Sequence, residues 1–195
     1  MHPDKQRSID WAQSILEADN WLLLDTESSG LGVTAEICQI ALIDKHGRTH
    51  LDMYLRTLDG IPEEATAIHG ITDALVANSP TFEQAWPIIE HLLAMNHIVI
   101  YNAGYDLPLI GYCLERFGGK RPRVSYDCAM LKYAAFIGQP GRYGEWKWQK
   151  LPTADGLTAH GAREDCLSTL AVIKMMAGDV TAKRADIRVV TGDKI

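Results

Sequence analysis

Four apolar residues followed directly by two acids and a turn constrain the fold most strongly, in the segment WLLLDTESSGLG at residues 21–32. The apolar run predicts a buried strand that leads into a Ser-Ser-Gly turn. Side chains alternate along a strand, so Asp25 and Glu27 should point to the same side. Two neighbouring carboxylates repel each other unless a cation lies between them or water solvates both. Two interpretations therefore stay open at this point: a divalent metal site, or two solvated acids where a strand meets its turn.

The chain length and its apolar content predict a single domain. A chain of 195 residues with 47% hydrophobic content can bury one sizeable core. We expect one domain over residues 1–178, with the motif-bearing core at about 21–176 and a polar tail at 179–195. The first 20 residues lack the apolar stretch of a secretory signal, and no apolar run approaches a membrane span. The expected location is the cytoplasm, with the four cysteines reduced.

A formal net charge of -6 argues against a protein that coats nucleic acid through bulk electrostatics. Proteins that coat nucleic acid through bulk electrostatics usually carry a positive excess. Nucleic acid is still allowed as a substrate, because acids that cluster around metal ions add to the formal charge while the occupied site is far less negative.

The order of the predicted elements indicates an α/β fold. Alternating segments at 36–44 and 50–56 complete an antiparallel meander with the first strand, and shorter strands are expected at 97–101 and 124–127. Helices are expected at 8–18, 62–69, 81–95, 107–117, 128–137 and 162–176, with a long loop that contains a short helix at 138–159. This order predicts a mixed five-stranded sheet with helices on its faces. Ligands gather beyond the strand ends of such sheets.

Three more candidate residues lie near predicted element ends. Asp106 follows the strand at 97–101, at or just before a helix N-terminus, where an aspartate is more often a cap than a ligand. His160 and Asp165 would be about 140° apart around a helix axis if both were helical. We therefore expect His160 on the loop before the last helix and Asp165 in the first turns of that helix. The ordinary alternatives are an exposed loop histidine and a favourable charge near a helix N-terminus.

Four motifs, taken in order, resemble those of the DEDDh 3′-to-5′ exonucleases. The motifs are Asp25-Thr26-Glu27 followed by Ser-Ser-Gly-Leu, then His69-Gly70-Ile71-Thr72, then Asn102-Ala103-Gly104-Tyr105-Asp106, and finally His160 followed by Asp165. This is the DnaQ-like family, which includes proofreading subunits and domains of DNA polymerases and has an RNase H-like fold. Four ordered motifs over residues 21–176 are far more specific than a lone Asp-x-Glu. Tyr101 and Tyr105 stand where His and Phe are frequent in the family, and Cys166 stands where Ala is common.

The resemblance implies a two-metal phosphodiesterase. Four acids would hold two Mg²⁺ or Mn²⁺ ions through oxygen ligands: Asp25, Glu27, Asp106 and Asp165. His160 would accept the proton of the attacking water, and nucleoside 5′-monophosphates would be released. The family pattern also implies substrate contacts at Thr26, Ser28, Leu31, His69, Asn102 and Tyr105. For Leu31 and Tyr105, ordinary packing is the alternative.

The function expected from the sequence is a metal-dependent 3′-to-5′ exonuclease that acts on single-stranded or frayed nucleic acid in proofreading or repair, with DNA favoured over RNA. One alternative is an RNA-trimming exoribonuclease of the oligoribonuclease or RNase T kind. Another is a polymerase-associated subunit whose main role is binding, through the tail after residue 178. Aromatic and basic residues interleave at 146–150, where they fit a guide for a single strand, a partner-binding surface or a tucked-in loop equally well.

Overall fold

Five strands form a single mixed sheet in the computed structural model, which describes residues 2–154, 156–157 and 160–178. The strands are β1 (Trp21–Ser28), β2 (Ile37–Ile43), β3 (Thr49–Tyr54), β4 (His97–Ile100) and β5 (Tyr126–Cys128). Their order across the sheet is β3-β2-β1-β4-β5. The β1-β2 and β2-β3 pairs are antiparallel, and the β1-β4 and β4-β5 pairs are parallel. This arrangement confirms the predicted sheet.

Seven helices flank the sheet in the described part of the chain. They are α1 (Pro3–Glu17), α2 (Glu63–His69), α3 (Asp73–Val76), α4 (Phe82–Met95), α5 (Ala103–Glu115), α6 (Ala129–Ile137) and α7 (Ala162–Ala177). A capping box starts α4, as the Thr81 hydroxyl accepts the N–H of Gln84 and the Gln84 side chain accepts the N–H of Thr81.

Alternate residues of β1 contribute to two different hydrophobic cores. Leu22 and Leu24 belong to the core that α4 and α5 cover, whereas Trp21 and Leu23 belong to the core that α1, α6 and α7 cover. Because helices cover both faces of the sheet, all four of these residues are buried. This is why the strand begins as a continuous apolar run rather than as an alternating pattern.

The last four residues of β1 extend beyond its parallel neighbour. Pairing with β4 ends at Leu24 and Ile100, whereas pairing with β2 continues to Ser28, opposite Ile37. After Ile100 the chain turns away into α5. Residues 25–28 therefore have a strand on one side only, and the predicted acids lie at an open end of the sheet.

Two helices begin earlier than the sequence predicts. Helix α1 starts at Pro3 rather than at residue 8, because the His2 ring accepts the N–H of Asp4 at 3.2 Å and proline is tolerated in a first helical turn. Helix α5 starts at Ala103 rather than at residue 107, so Asp106 lies inside its first turn. The four-residue helix α3 was not predicted, since it is too short to show a helical period; the Thr72 hydroxyl caps it.

The predicted short helix within 138–159 is wrong for the residues that the structure describes there. Pro140 and Trp146 instead form an antiparallel bridge. The Gly141 N–H donates to the Glu145 carbonyl at 2.7 Å, and the Lys147 N–H donates to the Gln139 carbonyl at 2.9 Å. Proline and glycine disfavour a helix here and favour a turn. Residues 139–150 are called the 139–150 hairpin below.

The predicted tail at 179–195 lies outside the described residues, so its proposed role in binding a polymerase stays a prediction. Helix α7 ends at Ala177, and Gly178 follows it in the left-handed conformation that commonly ends helices. None of the helices in the described ranges combines the length and the hydropathy needed to cross a membrane.

Candidate active site

The end of β1 and the start of α7 bring three predicted residues together. Glu27, His160 and Asp165 each offer a potential ligand atom, and these atoms lie within 4.8 Å of one another. Asp25 and Glu27 lie on the side of β1 that faces α7, because they continue the alternation of Trp21 and Leu23. Asp165 reaches this side from the first turn of α7.

A buried amide holds the start of α7 against the sheet. Gln39 pairs with Glu27 across β1 and β2 and is only 6% exposed. Its Oε1 accepts the N–H of Ala162 at 3.3 Å, and its Nε2 donates to Asp52 at 2.9 Å. The first bond satisfies one of the free N–H groups of the helix and sets the position of Asp165 one turn later. Gln39 was not predicted from the sequence, although a lone amide in the strand ICQIALI is a usable signal, since a buried amide needs partners.

His160 lies on the segment that precedes α7. Its side chain is exposed, and its backbone has a φ of 64°, which is uncommon for a residue other than glycine. Strained backbone of this kind is concentrated at functional sites. The turn that it makes lets the chain enter α7 with the imidazole beside Glu27 and Asp165.

Thr26 holds Asp106 from the other side of β1. The Thr26 hydroxyl donates to Asp106 Oδ1 at 2.7 Å in a buried hydrogen bond. Burial raises the pKa of Asp106, and hydrogen bonding from Thr26 opposes part of the rise.

The four acids repel one another strongly. Burial, followed by repulsion from Asp106, Asp165 and Glu27, raises the pKa of Asp25 well above its usual range. Burial, followed by repulsion from Asp165 and Asp106, raises the pKa of Glu27 to about 8. Burial also raises the pKa of Asp165, which His160 partly offsets. Carboxylate oxygens gathered in this way suit hard divalent cations, whose charge would relieve the repulsion.

Tyr105 closes the turn that follows β1. Its hydroxyl donates to the Gly30 carbonyl at 2.9 Å, and the Ser28 hydroxyl donates to the same carbonyl at 2.9 Å. The Ser28 and Tyr105 hydroxyls also contact each other. Leu31 stands next to this bonded turn and is 85% exposed. The turn is therefore tied to α5, while an apolar side chain projects from it into solvent.

His69 links α2 to the end of β1. The Ile71 N–H donates to His69 Nδ1 at 3.0 Å, so Nε2 carries the proton and donates to the Ser28 carbonyl at 3.2 Å. Burial lowers the pKa of His69, which favours this neutral form. Asn102, by contrast, is exposed at the start of α5, and its side chain makes no capping hydrogen bond.

The family model for RNase_T, described as an exonuclease, matches residues 22–173. The chain belongs to this exonuclease family. Family relatives include the uncharacterized exonuclease CP81 of Escherichia phage 186, which is 38% identical over 185 residues and is aligned over 88% of this chain and 93% of its own length. Exodeoxyribonuclease 10 of Escherichia coli strain K12 is 31% identical over 157 residues, which cover 77% of this chain and 66% of that protein.

A solved exonuclease structure shares the fold. It is that of Exonuclease X in complex with 5′ overhanging duplex DNA, with a TM-score of 0.53 and 26% sequence identity, over 81% of this chain and 93% of the other. The DnaQ-like family and the RNase H-like fold that the motifs predicted are thereby confirmed. As a member of this exonuclease family, the chain acts on nucleic acid.

Replacing Thr26 by valine should lower the exonuclease activity about 10- to 100-fold, because valine keeps the shape of the side chain but removes the donor to Asp106. Thr26→Ser keeps the hydroxyl and is the matched control, which should retain most of the activity. The measurement is kcat/KM on a single-stranded oligonucleotide, with thermal unfolding to check that both variants fold. Equal activity of Thr26→Val and the wild type would contradict the positioning of Asp106 by the hydroxyl.

Metal-free Asp25→Asn should unfold at a higher temperature than the metal-free wild type at pH 8, by about 3 °C or more. Raised carboxyl pKa values mean that the folded chain binds more protons than the unfolded chain between about pH 4 and about pH 8. The metal-free wild type therefore loses stability as the pH rises through this window, and asparagine removes one of the repelling charges.

Calorimetry in the presence of a chelator at pH 5 and pH 8 measures this effect. The difference between Asp25→Asn and the wild type should shrink toward pH 5, where the carboxyl group is protonated. Added Mg²⁺ or Mn²⁺ should then raise the unfolding temperature of the wild type more than that of the variant. A variant that is less stable than the wild type at pH 8 would contradict the repulsion.

Proposed function

We propose that this chain is a metal-dependent 3′-to-5′ exonuclease that removes nucleotides from single-stranded or frayed DNA and releases nucleoside 5′-monophosphates. The observation that carries the proposal is the grouping of Glu27, His160 and Asp165, whose potential ligand atoms lie within 4.8 Å of one another at the open end of β1. Burial, followed by repulsion from Asp106, Asp165 and Glu27, raises the pKa of Asp25, which supports adding Asp25 and Asp106 to the same site. A phosphodiester is an anion, so a bare cluster of acids would repel it. The cluster becomes a phosphodiesterase site only with cations bound, which fits its elevated pKa values.

Four acids would hold two Mg²⁺ or Mn²⁺ ions: Asp25, Glu27, Asp106 and Asp165. When bound, such ions supply Lewis-acid activation of the attacking water and stabilisation of the charge on the leaving 3′ oxygen. The protein holds these acids on regular secondary structure. Asp25 and Glu27 belong to the paired strand β1, and Asp106 and Asp165 belong to the first turns of α5 and α7. The bonds from Thr26 and Gln39 fix these two helix starts against β1 and β2.

His160 would act as the general base. Its ring lies beside Glu27 and Asp165, and a neutral ring nitrogen there can accept a proton from the water that attacks the terminal phosphodiester. Because His160 is exposed, it can then pass the proton to solvent.

The turn after β1 would hold the 3′-terminal nucleotide. Ser28 and Tyr105 fix the turn, and the exposed Leu31 is placed to wedge against the last bases. Apolar and stacking contacts of this kind tolerate any base, as an exonuclease requires. Thr26, His69 and Asn102 lie around the same end of β1. Thr26 is held there by its bond to Asp106, and His69 by its bond to Ser28.

Two similar proteins support DNA as the substrate. One is named exodeoxyribonuclease 10, and the structure of Exonuclease X contains duplex DNA with a 5′ overhang. The alternative is an RNA-trimming exoribonuclease, and faster cleavage of RNA than of a DNA strand of the same sequence would support it.

The experiment is a time course on end-labelled DNA and RNA strands of one sequence, with Mg²⁺, with Mn²⁺ and with chelator. DNA should shorten one nucleotide at a time from its 3′ end with either metal, RNA should shorten more slowly, and the chelator should stop both. A bulky group on the 3′ hydroxyl should block degradation.

Asp25→Ala should abolish cleavage, whereas Glu90→Ala, which removes an exposed acid of α4, should not. Cleavage of blocked strands would reject the polarity, and an active Asp25→Ala would reject the site.

A further inference from the structure

We propose that the 139–150 hairpin binds the single-stranded stretch of the substrate that lies 5′ to the scissile end. The proposal rests on the proposed function, since it assigns a second contact to the same substrate. It concerns residues that take no part in the acid cluster and that connect α6 to the segment before His160.

Uncovered aromatic rings are the first observation. Tyr143 is 84% exposed and Trp148 is 63% exposed, although large aromatic side chains are usually at least half covered. Both belong to the hairpin, and Trp148 lines an open groove of about 750 Å³ together with Arg142 and Lys147. Exposed rings beside an open groove can stack on bases, and stacking needs no particular sequence.

The charge of the hairpin is the second observation. It carries three cations, Arg142, Lys147 and Lys150, against one acid, Glu145, in a chain whose net charge is -6. The carboxylate of Glu145 accepts the N–H of Tyr143 at 3.0 Å, so it is engaged within the hairpin's own turn. The hairpin is thus a locally positive element on an acidic protein, which suits a polyanion.

Two hydrogen bonds tie the hairpin to the rest of the fold. The Trp146 indole donates to the Asp4 carboxylate at 2.8 Å, so this ring is an anchor rather than a stacking platform. The Tyr101 hydroxyl donates to the Gln149 carbonyl at 2.8 Å. Tyr101 directly follows β4 and precedes the helix that carries Asp106. The hairpin therefore lies at the same end of the sheet as the acids.

A nucleic-acid strand fits this surface better than a protein partner does. The cations Arg142, Lys147 and Lys150 are interspersed with the exposed rings of Tyr143 and Trp148, so bases can stack while phosphates meet positive charges. Lysine is depleted in the cores of protein interfaces. A nucleic-acid strand whose 3′ end lies at the turn after β1 must leave the acid cluster across the neighbouring surface. The hairpin gives that surface a positive charge, which the acid cluster lacks.

The test compares single-stranded DNA oligonucleotides from about 4 to about 20 nucleotides long. The double variant Tyr143→Ala with Trp148→Ala should raise KM about tenfold or more for the long strands. It should leave kcat and the cleavage of the shortest strands unchanged, because these strands end before they reach the hairpin.

A charge-only variant, Arg142→Gln with Lys147→Gln, keeps the rings and tests the phosphate contacts. It should weaken the binding of long strands and reduce the salt dependence of that binding. Lys120→Gln and Tyr126→Ala are the matched controls, because both side chains are exposed and lie at or before the start of β5, away from the edge that carries the acids. Both controls should behave like the wild type.

Binding of a fluorescent 20-nucleotide strand by Asp25→Ala gives a readout that needs no catalysis. In that background the hairpin variants should raise Kd by the same factor as they raise KM. Unchanged affinity for long strands, or an equal loss at every strand length, would overturn the proposal. A wild type that fails to shorten any strand from its 3′ end would instead refute the proposed function, while the binding measurement would still decide on the hairpin.

Discussion

Repulsion among four carboxylates at the open end of β1 is the constraint on which the rest of the site depends. Burial raises the pKa values of all four groups, and repulsion from the neighbouring acids raises those of Asp25 and Glu27 further, so the cluster disfavours its own ionised form. The fold nevertheless holds the groups together through bonds that come from outside the cluster. Thr26 and Gln39 provide two of these bonds, each between a strand and the start of a helix. These bonds hold the acid-bearing helix starts against the sheet, and a bound cation would stabilise the arrangement further.

The geometry of the sheet explains how residues far apart in sequence meet. β1 is longer than its parallel neighbour by four residues, and the chain leaves β4 into α5 at that point. Alternation then sends Asp25 and Glu27 toward α7 and Thr26 toward α5. Each helix start contributes one acid from its own side, so one strand serves as the common support for both.

The sequence predicted the parts of this arrangement that depend on local pattern. The run of Trp21 to Leu24 followed by two acids identified the central strand, and the motif order identified the family. The lone amide of Gln39 signals that it needs partners, but the partners of Gln39 and Tyr105 depend on which elements pack together and could not be read from neighbouring residues. The prediction of a short helix in the 139–150 hairpin gave too little weight to its proline and glycines, which favour a turn. The pairing of Pro140 with Trp146 depends on contacts that the sequence pattern does not show.

Anomalous diffraction from crystals grown with Mn²⁺ and a nucleoside 5′-monophosphate tests the central claim most directly. The account predicts two manganese peaks, about 3.5 to 4 Å apart, bounded by Asp25, Glu27, Asp106 and Asp165. Crystals of Asp25→Ala should lose at least one of the two peaks. Wild-type crystals without a manganese peak among these four carboxylates would contradict the account.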